Sequence, residues 1–264
     1  MHMTRRTFLR DLGQGTLAVA ILGVGVLACS SEDGADTTKG SDSPTTTGSG
    51  PGDTSTSAPS TTAPAGDTPG VSWERVNLGG VSAYVLVRAG EAVVVDTGNP
   101  GDAGDIAATL DGLGIGWNDV STVILTHLHG DHVGSLGDVM AAAPDAVGYA
   151  GAPDIPGIRS PRTLMPVGDG DTVFGLEIIA TPGHTPGSIV VRDPVSGLMV
   201  AGDALRGEDG GVIGPNPRFT DDMALANESV KKLAALQFET IVFGHGDPVE
   251  GGASDQVAAL AATL

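Results

Sequence analysis

Cysteine is almost absent from this chain: one residue, Cys29, in 264. Beyond it the sequence can close no disulfide and offers no thiolate, so any metal site there must use nitrogen and oxygen ligands. Aromatic residues are nearly as scarce at 3%, which leaves Val, Leu, Ile and Ala to fill the core. Basic residues number 13 against 32 acids, a formal net charge of −19. So acidic a surface repels phosphate backbones and argues against nucleic acid as a partner; solubility accounts for the charge itself. A long apolar run is also missing. Leu17–Ala28 is about twelve residues, short of the roughly 20 that span a bilayer.

That run belongs to a segment, 1–29, that reads as a targeting signal. Thr4-Arg5-Arg6-Thr7-Phe8-Leu9-Arg10 resembles the twin-arginine export motif, and Val26-Leu27-Ala28-Cys29 resembles a lipoprotein signal-peptidase site, with Leu27 a less usual residue in it. The resemblance implies lipidation of Cys29 and a protein held by an N-terminal lipid at the extracytoplasmic face of the cell membrane. Cleavage near Ala28 with secretion, or an uncleaved anchor, are the alternatives. Residues 30–70 are Ser, Thr, Gly, Pro, Asp and Ala with almost no large apolar side chain. Such a stretch cannot bury enough surface to offset chain entropy and reads as a disordered tether. The folded domain is expected over 71–264, long enough for one sizeable core.

Within it, Trp73–Leu78, Val81–Val87 and Glu91–Val95 read as strands joined by turns at Gly79-Gly80 and Ala89-Gly90. Asp102–Leu113 reads as a helix, Val120–Leu125 as a buried strand, Val133–Ala143 as a helix stopped by Pro144, and Ala146–Ala150 as a strand. Gly151–Pro166 reads as a loop. Thr172–Phe174, Leu176–Ala180, Ser188–Arg192 and Leu198–Ala201 follow as strands, the last two as a hairpin. Ala204–Asp221 is expected to be a long irregular loop, before a helix at Asp222–Leu236, a strand at Thr240–Phe243 and a final helix from Ser254, capped by that serine. Two β-rich halves, each with helices, give an α/β fold: two sheets face to face with helices outside, a four-layer αββα sandwich.

The chemistry concentrates in Thr126-His127-Leu128-His129-Gly130-Asp131-His132, four potential metal ligands within six residues. It leaves the C-terminal end of a strand, where α/β folds commonly place sites. His127 and His129 are two apart and face one way in extended chain, so they can share an ion; Asp131 and His132 diverge, which suits a second ion. His184, in Thr181-Pro182-Gly183-His184-Thr185-Pro186-Gly187-Ser188, and His245, in Phe243-Gly244-His245-Gly246-Asp247-Pro248, also follow short apolar runs, as does Asp203 in Ala201-Gly202-Asp203. Every histidine but His2 thus lies at a strand end among turn residues. Asp96, in Asp96-Thr97-Gly98 at another strand end, has two readings: a cap on the next helix, or a residue that orients a ligand.

His127-x-His129-x-Asp131-His132 followed by His184, Asp203 and His245 resembles the metallo-β-lactamase superfamily, over about Val71 to Pro248. The resemblance implies the αββα sandwich and two metal ions. His127, His129 and His184 would hold one, Asp131, His132 and His245 the other, and Asp203 would bridge them. Imidazole and carboxylate suit zinc, with iron and manganese as alternatives. Two adjacent ions lower the pKa of a shared water to about 7, so hydroxide can attack a carbonyl at neutral pH, with Asp131 to orient it or pass on its proton.

The branch of the superfamily is less legible. An aspartate at 203 argues against a β-lactamase. Thioester hydrolases of the glyoxalase II type resemble the Thr181–Ser188 and Asp203 regions, but the sixteen residues after Pro248 are too few for their helical extension. Acyl-homoserine lactonases share the ligands and often use a tyrosine; Tyr84 reads as core and Tyr149 as a weak candidate. Persulfide dioxygenases share the motif with one iron. The expectation is a dinuclear zinc hydrolase of a small ester, thioester or lactone. An iron-dependent oxidoreductase is the alternative, and a non-catalytic binding lipoprotein stands behind both. Arg159, Arg162, Arg206 and Arg218 read first as solvated surface and second as partners for an anionic substrate.

Overall fold

A computed structural model describes residues 69–264. The expected signal segment, Cys29 and nearly all of the expected tether lie outside them. Strands β1 (Ser72–Asn77), β2 (Ser82–Arg88) and β3 (Glu91–Val95) form an antiparallel meander. β4 (Val120–Leu125), β5 (Val147–Gly151) and β6 (Met165–Val167) then add in parallel, giving the order β1-β2-β3-β4-β5-β6. The helices between these strands make the crossovers that parallel pairing requires: α1 (Ala103–Leu113), the single turn α2 (Gly130–Val133) and α3 (Leu136–Ala142).

The second sheet holds β7 (Thr172–Val173), β8 (Leu176–Ala180), β9 (Ile189–Asp193) and β10 (Leu198–Val200). A small hairpin of β11 (Arg206–Glu208) and β12 (Gly211–Ile213) follows, then α4 (Met223–Leu233), β13 (Thr240–Val242), β14 (Val249–Glu250) and α5 (Ala253–Ala261). Its order is β14-β13-β10-β9-β8-β7, with only β10 and β13 parallel.

Period-two alternation explains the layers. Ala83, Val85, Val94, Val123 and Leu125 face α1 and α3, meeting Ile106, Leu110, Leu136 and Val139. Their neighbours Tyr84, Leu86, Val93, Val95 and Ile124 face the second sheet, meeting Ile178, Ile189, Val191, Leu198, Val200 and Val242. The opposite face of that sheet, Ile179, Val190, Met199 and Ile241, packs on Val230 and Leu233 of α4 and on Val257 of α5. Three separate apolar clusters are the seams of four layers, the αββα sandwich. Each fully buried Val, Leu or Ile contributes roughly 1.5–3 kcal/mol.

Some local expectations are corrected. The helix expected at Val133–Ala143 is two pieces, because Gly134 and Ser135 are held from outside. Gly134 N–H donates to Gly98 O, and Ser135 Oγ accepts from the N–H groups of Gly101 and Asp102. The loop at 151–166 ends inside an edge strand, where Pro166 is tolerated. The stretch 204–221 contains the β11–β12 hairpin. Ser254 does not cap α5: it lies within the helix, and Gly252, with φ +64°, makes the entry. Asp222 does cap α4, accepting Leu225 N–H at 3.0 Å.

Candidate metal centre

The two sheets are tied at one end. Ile189 N–H donates to Thr126 O at 2.9 Å, Ser82 N–H to Gly244 O at 2.8 Å, and Tyr84 Oη–H to Phe243 O at 2.7 Å. That end carries the loops after β3, β4, β8, β10 and β13, and the structure brings Asp96, His127, His129, Asp131, His132, His184, Asp203 and His245 together there. Tyr84 is core, as expected, and burial pushes its phenol up to about 12. Tyr149 packs against the cluster between the sheets.

The first group is His127, His129 and His184, whose ring centroids are mutually 4.7 Å apart, edge to face. His129 Nδ1 is 3.1 Å from His127 Nε2 and 3.0 Å from His184 Nε2. Outer hydrogen bonds fix the tautomers. Thr126 Oγ1–H donates to Asp96 Oδ2 at 2.7 Å, so Thr126 Oγ1 accepts from His127 Nδ1–H at 3.0 Å. Thr220 Oγ1–H donates to Asn216 O at 2.8 Å, so it accepts from His184 Nδ1–H at 3.1 Å. Two Nε2 lone pairs therefore face one His129 nitrogen. A single proton cannot satisfy all three; a cation can.

The second group is Asp131, His132 and His245. His132 Nδ1–H donates to Asp96 Oδ2 at 2.8 Å, and His245 Nδ1–H to Gly80 O at 2.6 Å, so both present Nε2 inward. His245 Nε2 is 3.3 Å from Asp131 Oδ2 and 3.3 Å from Asp203 Oδ2. Asp203 lies between the groups, its Oδ1 3.3 Å from His132 Nε2 and its Oδ2 3.5 Å from His184 Nε2. His132 Nε2 and Asp203 Oδ1 are nonetheless buried without a hydrogen-bond partner. Unpartnered nitrogen and oxygen lone pairs aimed at shared points fit divalent ions, and with thiolate absent they fit hard or borderline ones.

Electrostatics divides the site. Burial, helped by His132, holds His127 well below the usual imidazole range, and burial brings His184 down to about 4. Burial also opposes charge on His132, but Asp96 and Asp203 outweigh it and push it up to about 10. Asp131 and Asp203 push His245 up to about 10; the second proton on each of these two rings sits at Nε2, the position from which a bound divalent ion would displace it. Contact with His245 lowers Asp131; for Asp203 the neighbouring histidines overcome burial and hold it well below the usual carboxylate range. Both carboxylates are thus ionised acceptors at neutral pH.

Asp96 bonds to Thr126 and His132 rather than capping α1. It has φ +61°, and its Oδ1 accepts Thr126 N–H at 2.7 Å while Oδ2 takes Thr126 Oγ1–H and His132 Nδ1–H. α1 has no side-chain cap bond. Three participants were not foreseen from the sequence: Thr220, the Gly80 carbonyl and Asp154. Buried Asp154 accepts Leu128 N–H at 3.0 Å, Thr185 Oγ1–H at 2.6 Å and Gly187 N–H at 2.7 Å, joining the loops of His127–His129 and His184. A cavity of about 490 Å³ opens over the centre, walled by His129, Asp131, His245, Arg206, Asn216 and Phe219. Of the other loop cations, Arg162 is partly buried and does not line this cavity; it donates to the carbonyls of Met140, Ala143 and Pro144 behind α3.

Comparison with known proteins agrees. A family model described as the metallo-beta-lactamase superfamily matches residues 76–245. The chain is 30% identical over 203 residues to the probable metallo-hydrolase YflN of Bacillus subtilis, covering 60% of this chain and 76% of that one. It is 34% identical over 157 residues to a hydroxyacylglutathione hydrolase of Cereibacter sphaeroides, covering 58% and 56%. The solved structure of TTHA1623 in a di-iron-bound form matches with a TM-score of 0.56 at 24% identity, over 67% of this chain and 93% of that one. The chain belongs to the metallo-beta-lactamase superfamily, and its fold and ligand clusters are those of a metal-dependent hydrolase.

Proposed function

We propose that this domain is a dinuclear zinc hydrolase that cleaves a small ester, thioester or lactone. His127, His129 and His184 would hold one ion, Asp131, His132 and His245 the other, and Asp203 would bridge. The observation that carries the reading is the tautomer pattern: His127, His132, His184 and His245 each spend Nδ1–H on an outer oxygen and keep Nε2 for the centre. Bound ions would supply hydroxide near neutral pH and polarise the acyl oxygen.

The chain's own residues do the rest. Asp131, ionised and half-exposed at the cavity wall, orients the attacking water and takes its proton at Oδ2. Oxygen adds to the acyl carbon, the bond to the leaving oxygen or sulfur breaks, and the proton passes from Asp131 to that leaving atom. The products are a carboxylic acid and an alcohol or thiol, or one hydroxy acid from a lactone. Asp203 and Asp96 hold the imidazoles in place. The hydroxyacylglutathione hydrolase relative supports an acyl substrate, although this chain covers only 56% of its length. A di-iron relative makes the iron oxidoreductase the second reading. For the N-terminus we propose export and lipidation at Cys29, which acyl labelling of wild type and Cys29→Ala would test.

Elemental analysis of the purified protein, run beside a panel of aryl esters, thioesters, lactones and a cephalosporin, tests the activity. Near two zinc per chain with chelator-sensitive turnover supports the proposal. Iron without hydrolysis favours the oxidoreductase, and absence of metal defeats both.

A further inference from the structure

We infer that Arg75 is a positioning residue of the second metal group: it fixes the reach of His245, and with it the affinity for the ion that His245 would share with Asp131 and His132. That role presupposes the two-ion reading and gives part of it to a residue outside both ligand groups.

His127, His132 and His184 are buried, whereas the side chain of His245 is 33% exposed. Its turn, 243–247, belongs to the second sheet, yet the first sheet grips it. Tyr84 Oη–H donates to Phe243 O at 2.7 Å and Tyr84 Oη accepts Phe243 N–H at 3.2 Å. Ser82 N–H donates to Gly244 O, and Gly80 O accepts His245 Nδ1–H. Arg75 takes the remaining two residues: Nη2–H donates to Gly246 O at 3.0 Å and Nη1–H to Asp247 Oδ1 at 2.8 Å. Each residue from Phe243 to Asp247 is thus bonded to β1, β2 or the turn between them. None of these bonds involves His127, His129 or His184.

The strand pattern puts Arg75 where it can do this. Along β1, Val76 faces α1, while Trp73 and Arg75 lie opposite Leu86 and Tyr84, on the face turned to the second sheet. A guanidinium in that row is costly unless its donors are used. Its third donor, Nε–H, goes to Ser82 Oγ at 2.8 Å, on the residue that holds Gly244. The planar fork spans two adjacent residues of the turn, a grip that a lysine ammonium does not reproduce. Asp247 is 86% exposed, so the ion pair is screened by solvent; the contact that counts is Gly246 O, on the residue after the ligand. Gly246 adopts φ +97°, and a Cβ there would collide with Gly207 O, so this residue is held between β11 and Arg75. Without Arg75 the 246–247 end of the turn is loosened, while Tyr84 and Ser82 keep the sheets joined. His245 Nε2, now 3.3 Å from Asp131 Oδ2 and from Asp203 Oδ2, then loses its fixed place.

Zinc titration of the metal-free protein tests the role in wild type, Arg75→Met and Arg75→Lys, with circular dichroism to follow the fold. In Arg75→Met one of the two sites should weaken about 10–100-fold while the other stays within about twofold. Arg75→Lys, which keeps the charge but not the fork, should weaken the same site by about threefold or more, and it carries the test where Arg75→Met fails to fold. Equal weakening of both sites, as a general loss of structure would give, overturns the assignment, and so does unaltered affinity. If wild type binds fewer than two ions, the failure belongs to the two-ion reading, and backbone ¹⁵N relaxation of the metal-free protein then decides for Arg75. Order parameters at His245, Gly246 and Asp247 should fall from about 0.85 to below about 0.6 in the variant, with those of His127 and His129 unchanged. Equal order in wild type and variant would show that the turn keeps its place without Arg75, and would overturn the role.

Discussion

Asp154 Oδ2 accepts the Thr185 hydroxyl proton at 2.6 Å in a shell closed to solvent, with Asp154 0% and Thr185 1% exposed. The same oxygen takes Leu128 N–H, between His127 and His129, and Oδ1 takes Gly187 N–H beyond His184. One carboxylate therefore sets the spacing of two loops that supply the three-histidine group. In Asp154→Asn, either orientation of the amide points N–H at an N–H or O–H donor. The expected result is about 10–100-fold weaker metal binding at the three-histidine group with secondary structure retained. Chelator competition with circular dichroism measures both; unaltered affinity would show that the loops hold their spacing without the charge.

Asp96→Asn isolates the other positioning carboxylate. Asparagine tolerates the φ of +61° that Asp96 adopts, so the backbone turn survives. What changes is Oδ2, which must accept from both Thr126 Oγ1–H and His132 Nδ1–H. An amide nitrogen there frees one of them and lets the imidazoles turn. Metal affinity should fall about 10–100-fold at the His132 group, and stability by about 1–3 kcal/mol from the unmatched buried donor. Zinc titration and urea unfolding give the two numbers. A fall in stability alone would reduce Asp96 to a structural tie.

What the sequence showed and what it hid follow from range. His127, His129, Asp131 and His132 are local and announce themselves; His184, Asp203 and His245 stand at the ends of apolar runs whose period also exposes the layers. Asp154 carries no such signal, because its partners are 26 to 33 residues away and meet it only after both sheets pack. Thr220 reaches His184 across 36 residues, and Gly80 contributes a bare carbonyl. The break in the expected helix at Val133–Ala143 has the same origin: Gly98, Gly101 and Asp102 bind Gly134 and Ser135 from another loop.

Gly244→Ala tests how closely the second metal group is packed. A Cβ at this position would collide with Asp203 Oδ1 and His132 Cε1. Both are side-chain atoms, so the sheets need not move, but two ligands must. The expected outcome is a protein that folds and binds near one metal ion per chain, against the two proposed for wild type, with hydrolysis reduced at least 100-fold. Elemental analysis after dialysis reads the stoichiometry. Retention of both ions would mean that Asp203 and His132 can shift together without losing their geometry.

Far from the centre, Asp193 gives the fold a pH dependence of definite sign. Its side chain is 0% exposed and is 2.9 Å from Arg88 Nη2. Oδ2 accepts Val71 N–H at 2.8 Å and Ser196 Oγ–H at 2.7 Å, fastening the chain ahead of β1 to the β9–β10 turn. Burial alone would raise this carboxyl, but the bonds from Val71 and Ser196 and the charge of Arg88 outweigh it and lower it below the ordinary value of 3.8. A depressed folded-state pKa contributes stability above the unfolded-state pKa and loses it as pH falls through the folded one. In Asp193→Asn, Arg88 keeps Phe174 O at 2.6 Å but loses its counter-charge. The variant should be less stable than wild type by about 3 kcal/mol at pH 7. That gap should stay constant down to about pH 4 and narrow below it, as wild-type Asp193 protonates. Urea unfolding of both proteins from pH 7 to 2.5 measures it. A gap that holds its size to pH 2.5 would mean that Asp193 acts through shape and hydrogen bonds rather than through its charge.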